Sequence, residues 1–134
     1  MQNGGDPTDR KEDALAIARL MYAERRERER VFGQGLFGEP AWDLLLDIYI
    51  QQRLGKRVQV SSACIGAAVP STTGLRWLSI LQRKGLIRRV SDELDRRRSF
   101  VELEASAASA LEALLLQASQ PTRFLRQRDY LQVE

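Results

Sequence analysis

The sequence predicts a mainly helical α+β fold in which two helices joined by a short turn are followed by a β-hairpin. Three observations within residues 61–103 lead to this prediction. Two helical segments meet at Pro70, because proline disfavours helical geometry in the residue before it and is favoured at helix starts. Gly85 ends the second segment. Two runs of strand-forming residues then follow, 86–90 and 99–103. Together they predict a winged helix-turn-helix with additional helices at both ends.

The N-terminal part is predicted as a tail and a helix. Residues 1–9 carry Gly and Asp without an apolar pattern, which is typical of a disordered tail. Thr8 or Asp9 can then cap a helix over residues 10–31. The first half of this helix has a broad apolar face. The second half, 24–30, alternates in charge sign, which predicts a solvent-exposed surface.

A second helix is predicted to begin at Pro40, after a glycine-punctuated loop. It ends near Arg53 or Leu54, since Gly55 follows. Its inward face has helical spacing, and we interpret its aromatic residues as core residues rather than as ligand-stacking ones. That face consists of Trp42, Leu45, Ile48 and Tyr49. The extended segment 57–60 is predicted as a third strand beside the wing.

The helix-turn-helix itself has two predicted helices. The first begins at Ser61 or Ser62, whose hydroxyl groups can cap free backbone N–H groups, and ends by Val69. The second, the recognition helix, covers about Ser71–Lys84, with hydroxyl residues at its start and an apolar stripe behind them.

The rest of the chain forms the wing and the C-terminal helices. Polar residues 91–95 make the turn of the hairpin. Ser106 can cap a helix that runs to about Ala118, and residues 122–134 keep apolar side chains at helical spacing. We therefore predict a single domain over residues 10–134, with the winged helix-turn-helix core at 36–104 and C-terminal helices at 105–134 that are candidates for dimerisation.

Composition restricts the class of protein. Hydrophobic residues make up 43% of the chain and charged residues 29%, as in soluble globular proteins. Neither a membrane-spanning apolar run nor a signal-peptide pattern is present. One cysteine, Cys64, suits a reducing compartment, so we predict a cytoplasmic protein. We interpret Cys64 as a buried inert thiol. The alternative, a redox sensor, would need an exposed thiolate of low pKa.

Charge is unevenly placed. The net charge is +3, yet residues 83–98 hold seven Lys or Arg against three Asp or Glu. A solvated surface run is the default explanation for such a stretch. Because this one coincides with the predicted recognition helix and wing, we interpret it as a phosphate-binding face.

Enzymatic function finds no support in the sequence. The chain has no histidine, which excludes Ser–His pairs, Cys–His pairs and histidine metal sites. Asp92, Glu93 and Asp95 could in principle hold a metal, but three acids beside arginines in a hairpin are usually a solvated turn. No glycine-rich phosphate loop is found between a strand and a helix. We predict no enzyme, no metal and no cofactor.

Several motifs together resemble the core of the MarR-type transcription regulators. The similarity covers about residues 36–118, without a gap between Pro40 and Leu103. The residues that carry it are Pro40-Ala41-Trp42-Asp43-Leu44-Leu45, Pro70-Ser71-Thr72-Thr73, Arg76, Leu81, Lys84-Gly85-Leu86-Ile87, Asp95-Arg96-Arg97 and Leu103. The resemblance implies a homodimer that pairs through its terminal helices and binds a near-palindromic site, and it implies a small-molecule effector. The chain departs from the family in a short segment after Pro121 and in Glu104, where a capping Thr is usual.

This gives a hypothesis for sequence-specific binding of double-stranded DNA. An α-helix fits the major groove, so Ser71, Thr72 and Arg76 are predicted to contact it, with Leu75 near a thymine methyl. Ser61 or Ser62 could bind a backbone phosphate. Arginines at the wing tip suit the minor groove, whose negative potential attracts them. These are Arg96, Arg97 and Arg98.

The resemblance supports the selection of four residues as functional positions, namely Arg76, Asp95, Arg96 and Arg97. The selection of Arg98 depends on its charge alone. We interpret Asp95 as a turn residue that orients an arginine. The alternative function is a winged-helix protein–protein interaction module that does not bind DNA. Three adjacent arginines favour DNA, since a protein-binding wing would have no need of them.

Overall fold

The computed structural model describes residues 6–119. These residues form five helices and a three-stranded sheet, which confirms the predicted fold class. In chain order the elements are α1 (Pro7–Phe32), α2 (Pro40–Arg53), β1 (Val58–Gln59), α3 (Val60–Gly66), α4 (Ser71–Arg83), β2 (Ile87–Ser91), β3 (Ser99–Leu103) and α5 (Ala105–Ala118). The helix predicted in residues 122–134 lies outside the described residues.

Helix α1 begins earlier than predicted. The Asp6 side chain accepts hydrogen bonds from the backbone N–H groups of Thr8 at 2.6 Å and Asp9 at 3.1 Å. Pro7 occupies the first helical turn, where its missing N–H costs nothing. The prediction that residues 1–9 form a disordered tail is therefore wrong for residues 7–9, and Thr8 and Asp9 are not the cap.

The two halves of α1 both contribute to the interior. Ala14 and Ala18 are fully buried, and α1 packs against both α2 and α5. The predicted solvent exposure of residues 24–30 is wrong at Arg25, which is only 5% exposed. The exposed part of this segment does carry the expected ion pair between Arg28 and Glu24, at 2.8 Å.

Arg25 joins α1 to the start of α2 through a set of contacts that we call the Arg25 clamp. Its guanidinium donates two hydrogen bonds to the buried carboxylate of Asp43, and one of them has a length of 3.1 Å. It also donates to the backbone carbonyl of Phe37 at 2.8 Å and to Glu39 at 3.3 Å. Both ends of the central pair are buried, so their charges need compensation inside the protein, and Asp43 receives a further contact from Arg26 at 3.4 Å.

Helix α2 has the predicted bounds and forms the centre of the core. Leu44, Leu46 and Ile48 are fully buried, whereas Trp42 is only partly buried against them. Tyr49 is 1% exposed and donates a hydrogen bond to Glu112 of α5 at 3.0 Å, and burial raises its pKa. The interpretation as a core residue is thus confirmed for Tyr49, whereas Trp42 lies at the edge of the core.

The sheet has the strand order β1-β3-β2, with both pairs antiparallel. Val58 lies opposite Val101, and Ile87 lies opposite Leu103, so the central strand turns Val101 and Leu103 into the core. The predicted third strand is confirmed, although it is short. The Leu103 N–H also donates to Gln52 of α2 at 2.7 Å, which anchors the wing base.

Helix α5 starts directly after the wing. Its N-cap is Glu104, which makes no side-chain capping bond, so the predicted Ser106 cap is wrong. The reason is that the Glu104 N–H still donates to the Leu86 carbonyl at 2.9 Å, and the chain passes from sheet to helix without an intervening loop. The predicted end at Ala118 is confirmed. Within residues 6–119, no helix combines the length and the apolar character that spanning a membrane requires.

Candidate nucleic-acid interface

Helices α3 and α4 approach each other closely at the turn of the helix-turn-helix. A Cβ atom added to Gly74 would lie 2.3 Å from Cys64 Sγ, so only glycine allows this contact. Cys64 is 2% exposed, and burial raises the pKa of its thiol. The prediction of a buried thiol is confirmed.

The start of α3 differs from the prediction. The helix begins at Val60, and its cap residue Gln59 is extended and makes no side-chain capping bond. The chain enters α3 straight from β1, so Ser61 and Ser62 lie inside the first turn and the prediction that they cap the helix is wrong. Both side chains are exposed. Their proposed contact with a phosphate stays a prediction.

Helix α4 has a buried face and a solvent face. Leu78 and Leu81 are buried in the core, with Trp77 partly buried beside them. The solvent face carries the predicted contact residues at the start of the helix, which are Ser71, Thr72, Leu75 and Arg76. The helix ends at Arg83, and Gly85 follows with φ of +76°, the left-handed conformation that stops a helix.

The wing tip holds two of its arginines in ion pairs. Asp95 accepts a hydrogen bond from the Arg97 backbone N–H at 3.1 Å and pairs with its guanidinium at 3.0 Å. Asp92 pairs with Arg98 at 2.6 Å. Both aspartates have lowered pKa values, mainly through hydrogen bonds with Arg97 for Asp95 and with the Leu94 backbone and Arg98 for Asp92. The predicted arginine-orienting role of Asp95 is confirmed.

Arg96 differs from its two neighbours. Among the residues that the structure describes, it has no ion pair, and its side chain is exposed. The three predicted wing arginines are therefore unequal. Two already have carboxylate partners, and Arg96 has its charge available. The sequence shows the acids and the arginines but not which of them meet, since that depends on the geometry of the turn.

Arg57, for which the sequence predicted no role, lies over the wing. Its guanidinium is 3.8 Å from the ring centroid of Phe100, a cation–π distance. Arg98 lies over the same ring at 5.9 Å. No local signal could have found this contact, because it arises only when β1 pairs with β3.

An apolar cavity of about 180 Å³ lies between α2, α5 and the wing base. Trp42 and Leu114 contribute to its walls, and its other lining residues are leucines and alanines. No group of three or more Cys, Asp or Glu side chains that could hold a metal ion is found in residues 6–119.

The sequence matches no protein-family model and no curated protein. Solved structures do share the fold. A mutant of S. aureus MepR is 20% identical over 84% of this chain and 82% of its own, with a TM-score of 0.57. The S. aureus MepR–DNA complex is 22% identical over 84% and 78%, with a TM-score of 0.51. Transcriptional regulator PA4135 is 20% identical over 83% and 82%, with a TM-score of 0.54.

S. aureus MepR bound to ethidium bromide also matches, at 18% identity over 83% of this chain and 80% of its own, with a TM-score of 0.51. MepR and PA4135 are winged-helix transcription regulators of the MarR family. The likeness between this chain and these proteins is a likeness of fold.

Proposed function

We propose that this chain is a MarR-type transcription regulator that binds double-stranded DNA in a sequence-specific manner. The observation that supports this most directly is the solvent face of α4. Ser71, Thr72 and Arg76 stand exposed at the start of a helix whose other face is buried in the core. The major groove admits a helix presented in this way. The fold shared with the S. aureus MepR–DNA complex points in the same direction.

The exposed residues of α4 and α3 suit different parts of the duplex. The Arg76 guanidinium is the proposed base-reading group, because it can donate two hydrogen bonds to guanine. Leu75, 42% exposed, is suited to a thymine methyl. Ser61 and Ser62, exposed in the first turn of α3, are proposed to contact a backbone phosphate.

The wing is proposed to enter the minor groove with Arg96 leading. Arg96 has no carboxylate partner among the described residues, whereas Arg97 and Arg98 would have to exchange Asp95 and Asp92 for phosphate. We therefore assign the larger part of the wing's contribution to Arg96. The negative potential of a narrow minor groove favours an inserted arginine.

We further propose that the protein is a cytoplasmic homodimer. Leu20 on α1 is 70% exposed and Leu36 in the following loop is 66% exposed, and both are large apolar side chains. Val31, Phe32 and Phe37, close to Leu36 in the chain, are also exposed, and apolar patches of this kind mark interfaces. A two-fold dimer presents two recognition helices and two wings, which matches a near-palindromic DNA site.

A small-molecule effector is proposed on a separate observation, the apolar cavity beside Trp42. Its walls are apolar side chains, and its volume of about 180 Å³ suits a small apolar molecule. The fold is shared with S. aureus MepR bound to ethidium bromide. Ligand binding between α5 and the wing base would change how the wing is held.

The test is fluorescence anisotropy with upstream DNA from the protein's own locus and with a scrambled duplex, at several salt concentrations. We expect Arg76→Ala to lose roughly 1–3 kcal/mol on the specific duplex and to relax preference at one base pair. Arg96→Ala should weaken both duplexes alike and lower the slope of log affinity against log salt by about 0.9. Arg97→Ala should have a smaller effect, since its partner is Asp95.

Arg19→Ala, an exposed change on α1, is the control and should leave binding unaltered. If the wild-type protein binds neither duplex at low salt, the DNA-binding function is wrong, and the alternative of a protein–protein interaction module takes its place. If Arg76→Ala weakens both duplexes equally, Arg76 is a backbone contact rather than a base-reading residue.

A further inference from the structure

The positive charge of residues 83–98 is not concentrated at the wing tip. At the tip, residues 92–98, three acidic and three basic residues cancel. The excess comes from the end of α4 and from strand β2. The residues that supply it are Arg83, Lys84, Arg88 and Arg89.

The two arginines of β2 point to opposite faces of the sheet, because successive side chains of a strand alternate. Arg88 lies directly opposite Glu102. Its guanidinium pairs with Glu102 at 2.7 Å and with Glu104 at 3.0 Å. The charge of Arg88 is therefore compensated within the wing.

Arg89 lies on the other face. It is opposite Val101, which is fully buried, and it shares its side of the strand with the buried Ile87. Helix α3 packs against the sheet, and burial raises the pKa of its Cys64 thiol while the positive charge of Arg89 opposes this rise. Arg89 is nevertheless exposed, and no carboxylate in residues 6–119 forms an ion pair with it. An uncompensated cation thus lies on the first wing strand, which follows the helix-turn-helix in the chain.

We propose that Arg89 binds a phosphate of the DNA backbone strand that separates the two grooves, an inference that rests on the proposed function. When a helix occupies the major groove and a wing occupies the adjacent minor groove, a sugar–phosphate strand runs between them. Arg89 belongs to the strand that connects these two elements. A guanidinium matches the geometry of a phosphate and binds it with two parallel hydrogen bonds. Such a contact positions the protein without reading sequence.

The experiment compares Arg89→Ala with Arg88→Ala, a matched control on the same strand. Affinity is measured by anisotropy on the locus duplex and on the scrambled duplex across a salt series. Arg89→Ala should lose roughly tenfold on both duplexes and lower the salt slope by about 0.9. Arg88→Ala should change the slope much less, because its partners Glu102 and Glu104 already neutralise it. Arg89→Lys should keep the slope, since the positive charge stays.

Three results decide the matter. If the wild type binds and Arg89→Ala behaves like Arg88→Ala, the Arg89 contact is overturned while the proposed function stands. If Arg89→Ala loses affinity on the locus duplex alone, Arg89 reads a base and the phosphate contact is overturned. If the wild type binds no duplex, both proposals fall. Circular dichroism verifies folding, and Arg89→Gln replaces Arg89→Ala in the comparison if the alanine variant does not fold.

Discussion

Ala68 has a backbone conformation that glycine adopts far more readily. Its φ is +58°, in the turn that ends α3. Its N–H donates to the Ile65 carbonyl at 2.9 Å, so the conformation is part of the helix end. A side chain in this region meets steric resistance that glycine avoids. The turn of the helix-turn-helix therefore retains local strain at one residue.

We expect Ala68→Gly to raise the free energy of unfolding by roughly 0.5–1 kcal/mol. The glycine removes the steric strain of a left-handed alanine from the folded state, and this gain exceeds the entropy that glycine adds to the unfolded chain. Ala23→Gly is the matched control. It makes the same chemical change at an exposed right-handed position of α1 and should lower stability by about 1 kcal/mol. Urea denaturation measures both. A loss of stability in both variants would contradict the strain at Ala68.

Asp47 is a buried acid on α2, only 6% exposed. Burial raises the pKa of its carboxyl, while a hydrogen bond with Gln51 and the charge of Arg26 oppose the rise. Its carboxylate also fills the space beside Gly66, where an added Cβ would lie 2.3 Å from Asp47 Oδ2. Asp47 thus links α2 to the end of α3.

Asp47 should make stability depend on pH. Below about pH 3.9, the carboxyl is neutral in the folded and unfolded states alike. As pH rises through the higher folded-state pKa, the buried group ionises and its contribution to stability is lost. We therefore expect Asp47→Asn to stabilise the protein at pH 7 and to lose this advantage near pH 4. Urea denaturation at both pH values, with exposed Asp13→Asn as control, measures the difference. An equal gain in stability from Asp47→Asn at both pH values would contradict the raised pKa of Asp47.

At the scale of elements, the Arg25 clamp decides how α1 sits on α2. The predicted exposure of residues 24–30 was wrong there, because alternating charges do not show which one meets Asp43, far along the chain. The sequence located the wing strands to within a residue, since strand-forming residues and a polar turn are local signals. It could not assign the partners of Arg97 and Arg98, which depend on how the tip folds.

Arg25→Ala should lower the free energy of unfolding by about 3–5 kcal/mol, because it removes the main partner of buried Asp43 and leaves only the contact with Arg26 at 3.4 Å. Arg28→Ala is the comparison, since its pair with Glu24 is on the surface and should contribute about 0.5 kcal/mol or less. Thermal and urea denaturation measure both. The double variant Arg25→Met with Asp43→Leu should recover much of the loss, and equal effects of the two single changes would refute the clamp.

At the scale of the whole molecule, the succession of elements followed from the sequence. Pro40, Pro70 and Gly85 mark helix boundaries through backbone constraints that act locally. The packing of α1 could not be predicted from the sequence. The resemblance implied pairing through the terminal helices, yet Ala14 and Ala18 of α1 are fully buried within the chain itself. The periodicity of a helix shows that one face is covered, but not by what.

The dimer can be tested by size exclusion with light scattering at micromolar concentration. We expect a mass of twice the 15.2 kDa chain. Leu20→Glu should shift the population toward monomer, because this side chain is 70% exposed on α1 and a charge there opposes apolar contact. Leu94→Glu, at the 95% exposed wing residue, is the control and should leave the mass unchanged. A wild-type mass of 15.2 kDa would exclude the dimer.

The contact between Cys64 and Gly74 gives the protein an intrinsic reporter. Cys64 is the one cysteine of the chain, and its sulfur is covered where α4 crosses α3. A thiol-alkylating reagent can reach that sulfur only while the two helices are apart. The alkylation rate of the native protein therefore measures how often its helix-turn-helix opens, without an introduced label. A bound DNA duplex that holds α3 and α4 together would slow this reaction. The alkylation rate of Cys64 would therefore report whether DNA is bound at the interface.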